Sequence, residues 1–468
     1  MSALVDRSAV ELAGMIRSRE VSARELLDAC LTRIDETNPQ LNAIVTLVPD
    51  LAYGWAEAAD RAVAAGAKLG PLHGLPIAHK DLELTAGIRT TFGSPLLSDF
   101  VPTVDGLIVQ RLRSAGAVTI GKTNTPEFGA GSHTFNPVFG ATRNPYDPSR
   151  SCGGSSGGAA VALSAAMIPI ADGSDMGGSL RNPASFCNIV GLRPSSGRVP
   201  AWPTTTPWSG LATSGAMARS VADLALQMQV LAGPDPRIPI SLADTGTIFA
   251  VPLDVELGAL RVAWSPDLGL PVDRVVRDAL SFVPARLDEL GYAVSEGMPD
   301  LTDARGVFQT LRAWEFEISY GALFDRSPDQ MKDTVRWNIE EARRRTLCEH
   351  ARASVGHAAI VERASEFFEQ YDVLALPTSQ VAPFDIDLDW PHLVDGHQME
   401  TYIDWMRTCS DISLTGCPAI SMPAGFTPDG RPVGVQFVGR PRGDVELLQF
   451  ARSWERAVTP TRPTVEGS

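Results

Sequence analysis

Two serine-bearing glycine runs near the centre of the chain constrain its fold more than any other feature. Gly153-Gly154-Ser155-Ser156-Gly157-Gly158 is followed closely by Gly173-Ser174-Asp175-Met176-Gly177-Gly178-Ser179. Glycines this dense suit a backbone that turns sharply and brings its N–H groups up to a ligand. Between the two runs lies the longest nearly apolar stretch, 159–170, which is too short to span a membrane. A lysine stands well upstream in Ala78-His79-Lys80-Asp81. Hydroxyls set among glycine N–H groups imply acyl-transfer chemistry, with a nucleophile, a proton relay and an oxyanion hole.

The flanking chain alternates helix and strand signals. Ser8 is predicted to cap a helix over 10–17, and Ser22-Ala23-Arg24-Glu25 has the S-x-x-E form of a capping box before Leu26, Leu27 and Leu31. The alanine-rich stretch 51–65 reads as another helix. Strands are predicted over 117–120, 260–264 and 373–377. Helices are predicted over 157–166, 221–231, 275–290 and 445–457, and 302–371 reads as mainly helical. Strands 419–423 and 433–438 are predicted to pair across Asp429-Gly430, and proline-rich 234–252 reads as a crossing segment. Such interleaving predicts an α/β layered sheet. Segment 380–400, with Asp385, Asp387, Asp389, Trp390, His392 and His397, reads as a solvated loop, a pocket border being the alternative.

Composition excludes several classes. The chain has 468 residues, 44% of them hydrophobic, enough for an ample core. Lys+Arg 40 against Asp+Glu 55 gives a formal charge of −15 with no basic block, which argues against a nucleic-acid partner. Six cysteines, with no C-x-x-C pair, read as buried or incidental thiols of a reducing compartment. Residues 1–20 mix charges into an apolar pattern, unlike a signal peptide, so a cytoplasmic enzyme without a membrane span is expected.

Two motifs compete for attention. Gly116-Ala117-Val118-Thr119-Ile120-Gly121-Lys122-Thr123 spells the phosphate loop G-x-x-x-x-G-K-S/T. Its inner residues are apolar and β-branched, so they read as a strand, and Asn124-Thr125-Pro126 follows where a helix is required. Gly153-x-Ser155-x-Gly157 spells the nucleophile elbow of α/β-hydrolase esterases, with His350, His357, His392 or His397 as partners. The preceding residues, 144–150, are loop rather than strand.

The whole arrangement resembles the amidase signature family. The blocks that carry the resemblance are Gly70-Pro71-Leu72-His73-Gly74-Leu75-Pro76-Ile77-Ala78-His79-Lys80-Asp81, then Gly121-Lys122-Thr123-Asn124 with Glu127-Phe128, then Asn144-Pro145, the two glycine runs continuing to Arg193-Pro194, Leu376-Pro377-Thr378, and 415–425. The resemblance covers about 8–235 and 370–460, and the middle looks generic. It implies one large domain over 1–468, with a central twisted mixed β-sheet covered by helices on both faces. Within it the expected parts are N-terminal helices over 1–65, a signature core over about 66–235, a variable insert over about 240–370 and C-terminal core strands and a helix over 371–468.

Carried over residue by residue, the resemblance makes Ser179 the nucleophile, Ser155 the bridging serine at a non-proline cis peptide bond, and Lys80 the base. The backbone N–H groups of Met176, Gly177, Gly178 and Ser179 are expected to line the oxyanion hole. Asp175 and Arg181 are expected to brace the loop, and Ser156 to hydrogen-bond locally. Lysine serves as a base only when neutral, which burial favours. No metal or cofactor is implied.

The substrate is less defined. Pro200-Ala201-Trp202-Pro203-Thr204 and Pro207-Trp208-Ser209-Gly210 depart from the amide-transferring branch of the family, whose members work within a complex, and look like the general small-amide hydrolases. Met176 makes the rim less polar than the threonine common in the family. Phe128, Phe135, Phe139, Trp202 and Trp208 are the candidate pocket walls, favouring aryl or alkyl amides, with esters and carbamates (urethanes) as further substrates. An amidotransferase-type component of a complex is the alternative. A monomer or homodimer acting on a small-molecule amide is expected.

Overall fold

Alternate residues of the apolar strand 373–377 enter two different cores. Val373 and Ala375 join one, while Leu374 and Leu376 join the other. Successive side chains of a strand point to opposite faces, so a run that is apolar throughout must be covered on both. This principle organises the chain in a computed structural model that describes residues 2–460.

Two sheets carry the framework. β1 (Ile44–Leu47), β2 (Pro76–Lys80) and β3 (Val118–Thr123) form the smaller one in the order β1-β3-β2, with β2 parallel to β3. β4 (Ala171–Asp175), β5 (Val190–Arg193), β6 (Thr213–Ala218), β7 (Arg261–Trp264), β8 (Ala293–Glu296), β9 (Val373–Pro377), β10 (Ala419–Phe426) and β11 (Pro432–Gly439) form the larger. Its strand order is β8-β7-β9-β11-β10-β5-β6-β4. Pairing is parallel across β8, β7 and β9 and antiparallel from β9 through to β4, so the sheet is mixed. Helices pack on both faces, as the α/β reading requires.

Local signals account for many element ends. Ser8 and Ser22 head helices Ala9–Ser18 and Ala23–Leu41, each closing a capping box with Glu11 or Glu25. Helix Val221–Leu231 and the closing helix Asp444–Ala457 lie where the periodicity puts them. The expected single helix over 275–290 is instead two, Arg274–Leu280 and Val283–Glu289. Pro284 stands in the first turn of the second, where its missing N–H costs no helical bond.

The phosphate-loop spelling lies largely in strand. Lys122 sits inside β3, fully buried, with its ammonium on the Thr85 hydroxyl at 2.7 Å and the Glu83 carbonyl at 2.5 Å. All six cysteines are free, five of them buried. Among the described residues no helix is long and apolar enough to cross a membrane. The 380–400 segment is largely loop, with a short hairpin pairing Leu393–Val394 and His397–Gln398.

Candidate active site

The two sheets meet where β2 ends beside β4. There the Lys80 N–H donates to the Asp172 carboxylate at 2.8 Å, across 92 residues of chain. The other Asp172 oxygen lies 2.5 Å from His79 Nδ1, and His79 Nε2 lies 3.1 Å from the Thr119 hydroxyl. All these groups are buried. The end of β2 is thereby held in one position relative to the glycine runs.

Lys80 points its amine into those runs. Nζ donates to Ser155 Oγ at 2.8 Å, to Ser156 Oγ at 3.0 Å and to Ser174 Oγ at 3.1 Å. Burial pushes the amine down to about 8, against the opposing pull of Glu83, Asp175 and Asp172. Removal from water disfavours the ammonium, and among the described residues no carboxylate pairs directly with it to restore it. Ser156 departs from expectation. Its hydroxyl reaches Lys80 rather than bonding only within its own turn, because helix Gly157–Ser164 begins there and turns both serines toward β2.

The second run forms the opposite lip. Ser179 is half-buried at a cleft of about 210 Å³ that Ser155, Ser174 and Met176 also line. Among the described residues its hydroxyl makes no hydrogen bond, while its carbonyl accepts the Ser156 N–H at 3.2 Å and so ties the two runs together. The Gly154–Ser155 peptide bond is cis.

Asp175 and Arg181 brace the loop. One Asp175 oxygen accepts the Gly178 N–H at 2.8 Å and Arg181 Nη2 at 2.8 Å, and the other accepts the Leu180 N–H and Arg181 Nε, both at 3.0 Å. Burial alone would raise this carboxyl, but Arg181 and Arg193 outweigh it and hold it well below the usual carboxylate range. Breaking a buried pair of this kind typically costs about 3–5 kcal/mol, since an unpaired charge stays behind.

That brace corrects one expected role. The Gly178 N–H is committed to Asp175, so it is not available to an oxyanion. Among the described residues no acceptor meets the N–H groups of Met176, Gly177 or Ser179. Both glycines are required by geometry. Gly178 has φ +117°, and a Cβ on Gly177 would stand 2.7 Å from the Phe308 ring.

Only Phe128 of the expected aromatic walls lines this cleft. Phe135 lies under the Lys332 ammonium at 3.5 Å, Phe139 under the Arg89 guanidinium at 5.2 Å, and Trp202 under Arg237 at 3.8 Å. Their π-faces serve structural cations instead. Trp208 is 74% exposed and borders an adjoining groove with Trp314 and Ile318. The missed wall comes from helix Ala304–Arg326, which contributes Arg312, Glu315, Phe316, Ser319 and Tyr320. Phe128 packs on Tyr320 with ring centroids 4.3 Å apart. The signal was available: polar and aromatic residues recur there at helical spacing of three and four.

The elbow reading fails on placement. Ser155 follows loop, and its hydroxyl is held by Lys80. His357 bonds the Leu414 carbonyl, His392 pairs with exposed Asp389, and His397 lies against the Asp395 carbonyl.

The mixed α/β sheet carrying this cleft is the fold of the amidase signature enzymes, and three comparisons agree. The family model Amidase matches residues 25–448, and the chain belongs to the amidase signature family. It is 36% identical over 457 residues to an acylamidase of Rhodococcus erythropolis, covering 97% of this chain and 95% of that one. It is also 36% identical over 477 residues to a glutamyl-tRNA(Gln) amidotransferase subunit of Synechococcus sp. (strain CC9605), covering 96% of each. The crystal structure of a bacterial aryl acylamidase superposes with a TM-score of 0.90 at 27% identity, covering 96% of each chain.

Proposed function

We propose that the protein cleaves carboxylic amide C–N bonds through an acyl-enzyme on Ser179, with Ser155 relaying its proton to Lys80. One observation carries the reading: a fully buried lysine amine sits 2.8 Å from the Ser155 hydroxyl, and the Ser179 hydroxyl stands unbonded in the same cleft. As Ser179 Oγ attacks the carbonyl carbon, its proton passes to Ser155 Oγ while the Ser155 proton passes to Lys80 Nζ. The amide C–O double bond opens onto an oxyanion facing the free N–H groups of Met176, Gly177 and Ser179. Each such donor contributes about 3 kcal/mol to barrier lowering. The lysine proton then returns along the same path to the departing amine. Water repeats the sequence to release the acid.

Phe128 and Tyr320 support a preference for aryl or alkyl amides, because their rings offer the apolar wall, while the Phe316 ring lies under the Arg312 guanidinium at 4.6 Å. The same attack applies to esters and carbamates, whose leaving groups need less help. A panel of aliphatic amides, anilides, esters and carbamates is expected to show turnover, and a fluorophosphonate is expected to label Ser179. Peptide mapping of the label to Ser155 would overturn the assignment. A second reading, an amide-transferring component of a complex, is favoured by the 36% identity to the glutamyl-tRNA(Gln) amidotransferase chain. Anilide turnover by the isolated chain in nucleotide-free buffer decides against it.

The rate is expected to rise with pH. Lys80 accepts a proton only as the neutral amine, and burial places its midpoint at about 8. Below that value kcat/KM should climb close to tenfold per pH unit, and above it should level off. Initial rates between pH 6 and 10 check this (a window of about two units either side of the midpoint). An acidic optimum contradicts the role of Lys80.

A further inference from the structure

The wall opposite the serines holds two ionisable groups that face the cleft without pairing to each other. Arg312 and Glu315 stand three residues apart on helix Ala304–Arg326, 4% and 6% exposed. Arg312 Nε donates to the Tyr402 hydroxyl at 3.0 Å, and its Nη1 has only the Met176 sulfur, at 3.0 Å. A thioether is a weak acceptor. Glu315 Oε1 accepts the Ser209 hydroxyl. Among the described residues Arg312 Nη2 and Glu315 Oε2 have no hydrogen-bond partner and Arg312 has no ion pair, although its guanidinium lies over the Phe316 ring at 4.6 Å. Neither atom is among the buried orphans sealed from solvent, and both side chains line the cleft with Ser155 and Ser179.

An open donor and an open acceptor in a largely buried wall both keep access to the cleft, so a ligand that pairs with both makes good the solvent it displaces. A lone anion would meet Arg312 favourably but face Glu315, and a lone cation would meet the reverse problem. Burial already pushes the Glu315 carboxyl up, against Ser209 and Arg312. A neutral group that offers an oxygen and an N–H together satisfies both sides and buries no new charge.

We propose that Arg312 and Glu315 form a recognition site for a second, non-scissile carboxamide-type group of the substrate, an amide, urea or carbamate. Its oxygen accepts from Arg312 and its N–H donates to Glu315. The site rests on the hydrolase reading above and deepens it: the preferred substrates are bifunctional, with an apolar body against Phe128 and Tyr320 and a neutral polar group against the Arg312–Glu315 wall.

Matched anilides that differ only by a neutral carboxamide test this, with the group on the acyl chain in one series and on the amine in the other. The wild-type protein is expected to favour the carboxamide partner by about 10–100-fold in kcat/KM in one series. Arg312→Met should reduce that ratio to within about threefold, and Arg312→Lys, which keeps the charge but loses the planar fork, should reduce it in part. The ratio within each variant cancels any general loss of activity, so a structural role alone would not move it. Three results overturn the site: no preference in either series, a preference that survives both substitutions, or faster turnover of a carboxylate- or ammonium-bearing analogue. Plain anilide turnover continues in each of those cases. Absence of any anilide turnover by the wild-type chain overturns the underlying hydrolase reading instead.

Discussion

Ser179→Ala is expected to lower turnover of every substrate by at least about 10⁴-fold, with folding unchanged. Nucleophiles that act as part of a unit cost this much or more when removed, and what remains comes from the oxyanion donors and substrate binding. The structural cost should be small. The Ser179 hydroxyl makes no hydrogen bond among the described residues, so its loss leaves no buried partner unsatisfied. Its backbone carbonyl, which accepts the Ser156 N–H, is unaffected by the substitution. Thermal unfolding should therefore shift by no more than about 0.5 kcal/mol equivalent. Steady-state rates on an anilide, with fluorophosphonate labelling as a second measure, check both halves. More than a trace of activity in this variant places the nucleophile elsewhere.

Lys80→Ala should be nearly as damaging, about 10³–10⁴-fold, for a different reason. The amine is the one group among the described residues that bonds Ser155, Ser156 and Ser174 side chains together. Without it the proton of Ser155 has no acceptor, so the hydroxyl of Ser179 stays a poor nucleophile. Truncation also opens a cavity in a fully buried site and leaves hydroxyls unpaired, at about 2–5 kcal/mol of stability. Lys80→Met separates the two effects. Methionine refills most of the space without supplying a base, so stability should recover while the rate does not. Recovery of rate along with stability would show that Lys80 acts through packing alone.

Burial links these two expectations to the pH profile. The same desolvation that makes Lys80 expensive to bury also releases its proton near the working pH. Glu83, Asp175 and Asp172 oppose that shift, but none of the three pairs directly with the amine, and the two aspartates are committed elsewhere. Asp175 answers Arg181 and Arg193, and Asp172 answers the Lys80 main chain and His79.

The three central positions were legible because each sits in a short, distinctive stretch of chain. Glycine clusters are visible without knowledge of contacts, since they report backbone demands, and serines within them are placed by the same turns. The helix caps at Ser8 and Ser22 were legible for a similar reason, as the S-x-x-E bond closes within one turn. Aromatic residues carried no such local information. Phe128, Phe135 and Phe139 lie within a dozen residues of one another, yet one faces the cleft and two lie beneath cations from distant segments. The generic-looking middle of the chain supplied the Arg312–Glu315 wall, which no short motif announces.

By itself, then, the amino-acid order determined the α/β class, the family and the three residues at the centre of the proposed chemistry. The class follows from periodicity, which acts over a few residues, and the family and the three residues follow from the resemblance of short motif blocks to those of the amidase signature family. The tertiary structure alone decided which amide hydrogens remain free. Asp175 takes the Gly178 N–H and leaves those of Met176, Gly177 and Ser179, because Arg181 and Arg193 hold its carboxylate beneath the loop. It also decided what lies across the cleft from Ser179. Such choices depend on burial and hydrogen-bond direction between segments far apart in the chain, where spacing along the sequence carries no distance in space.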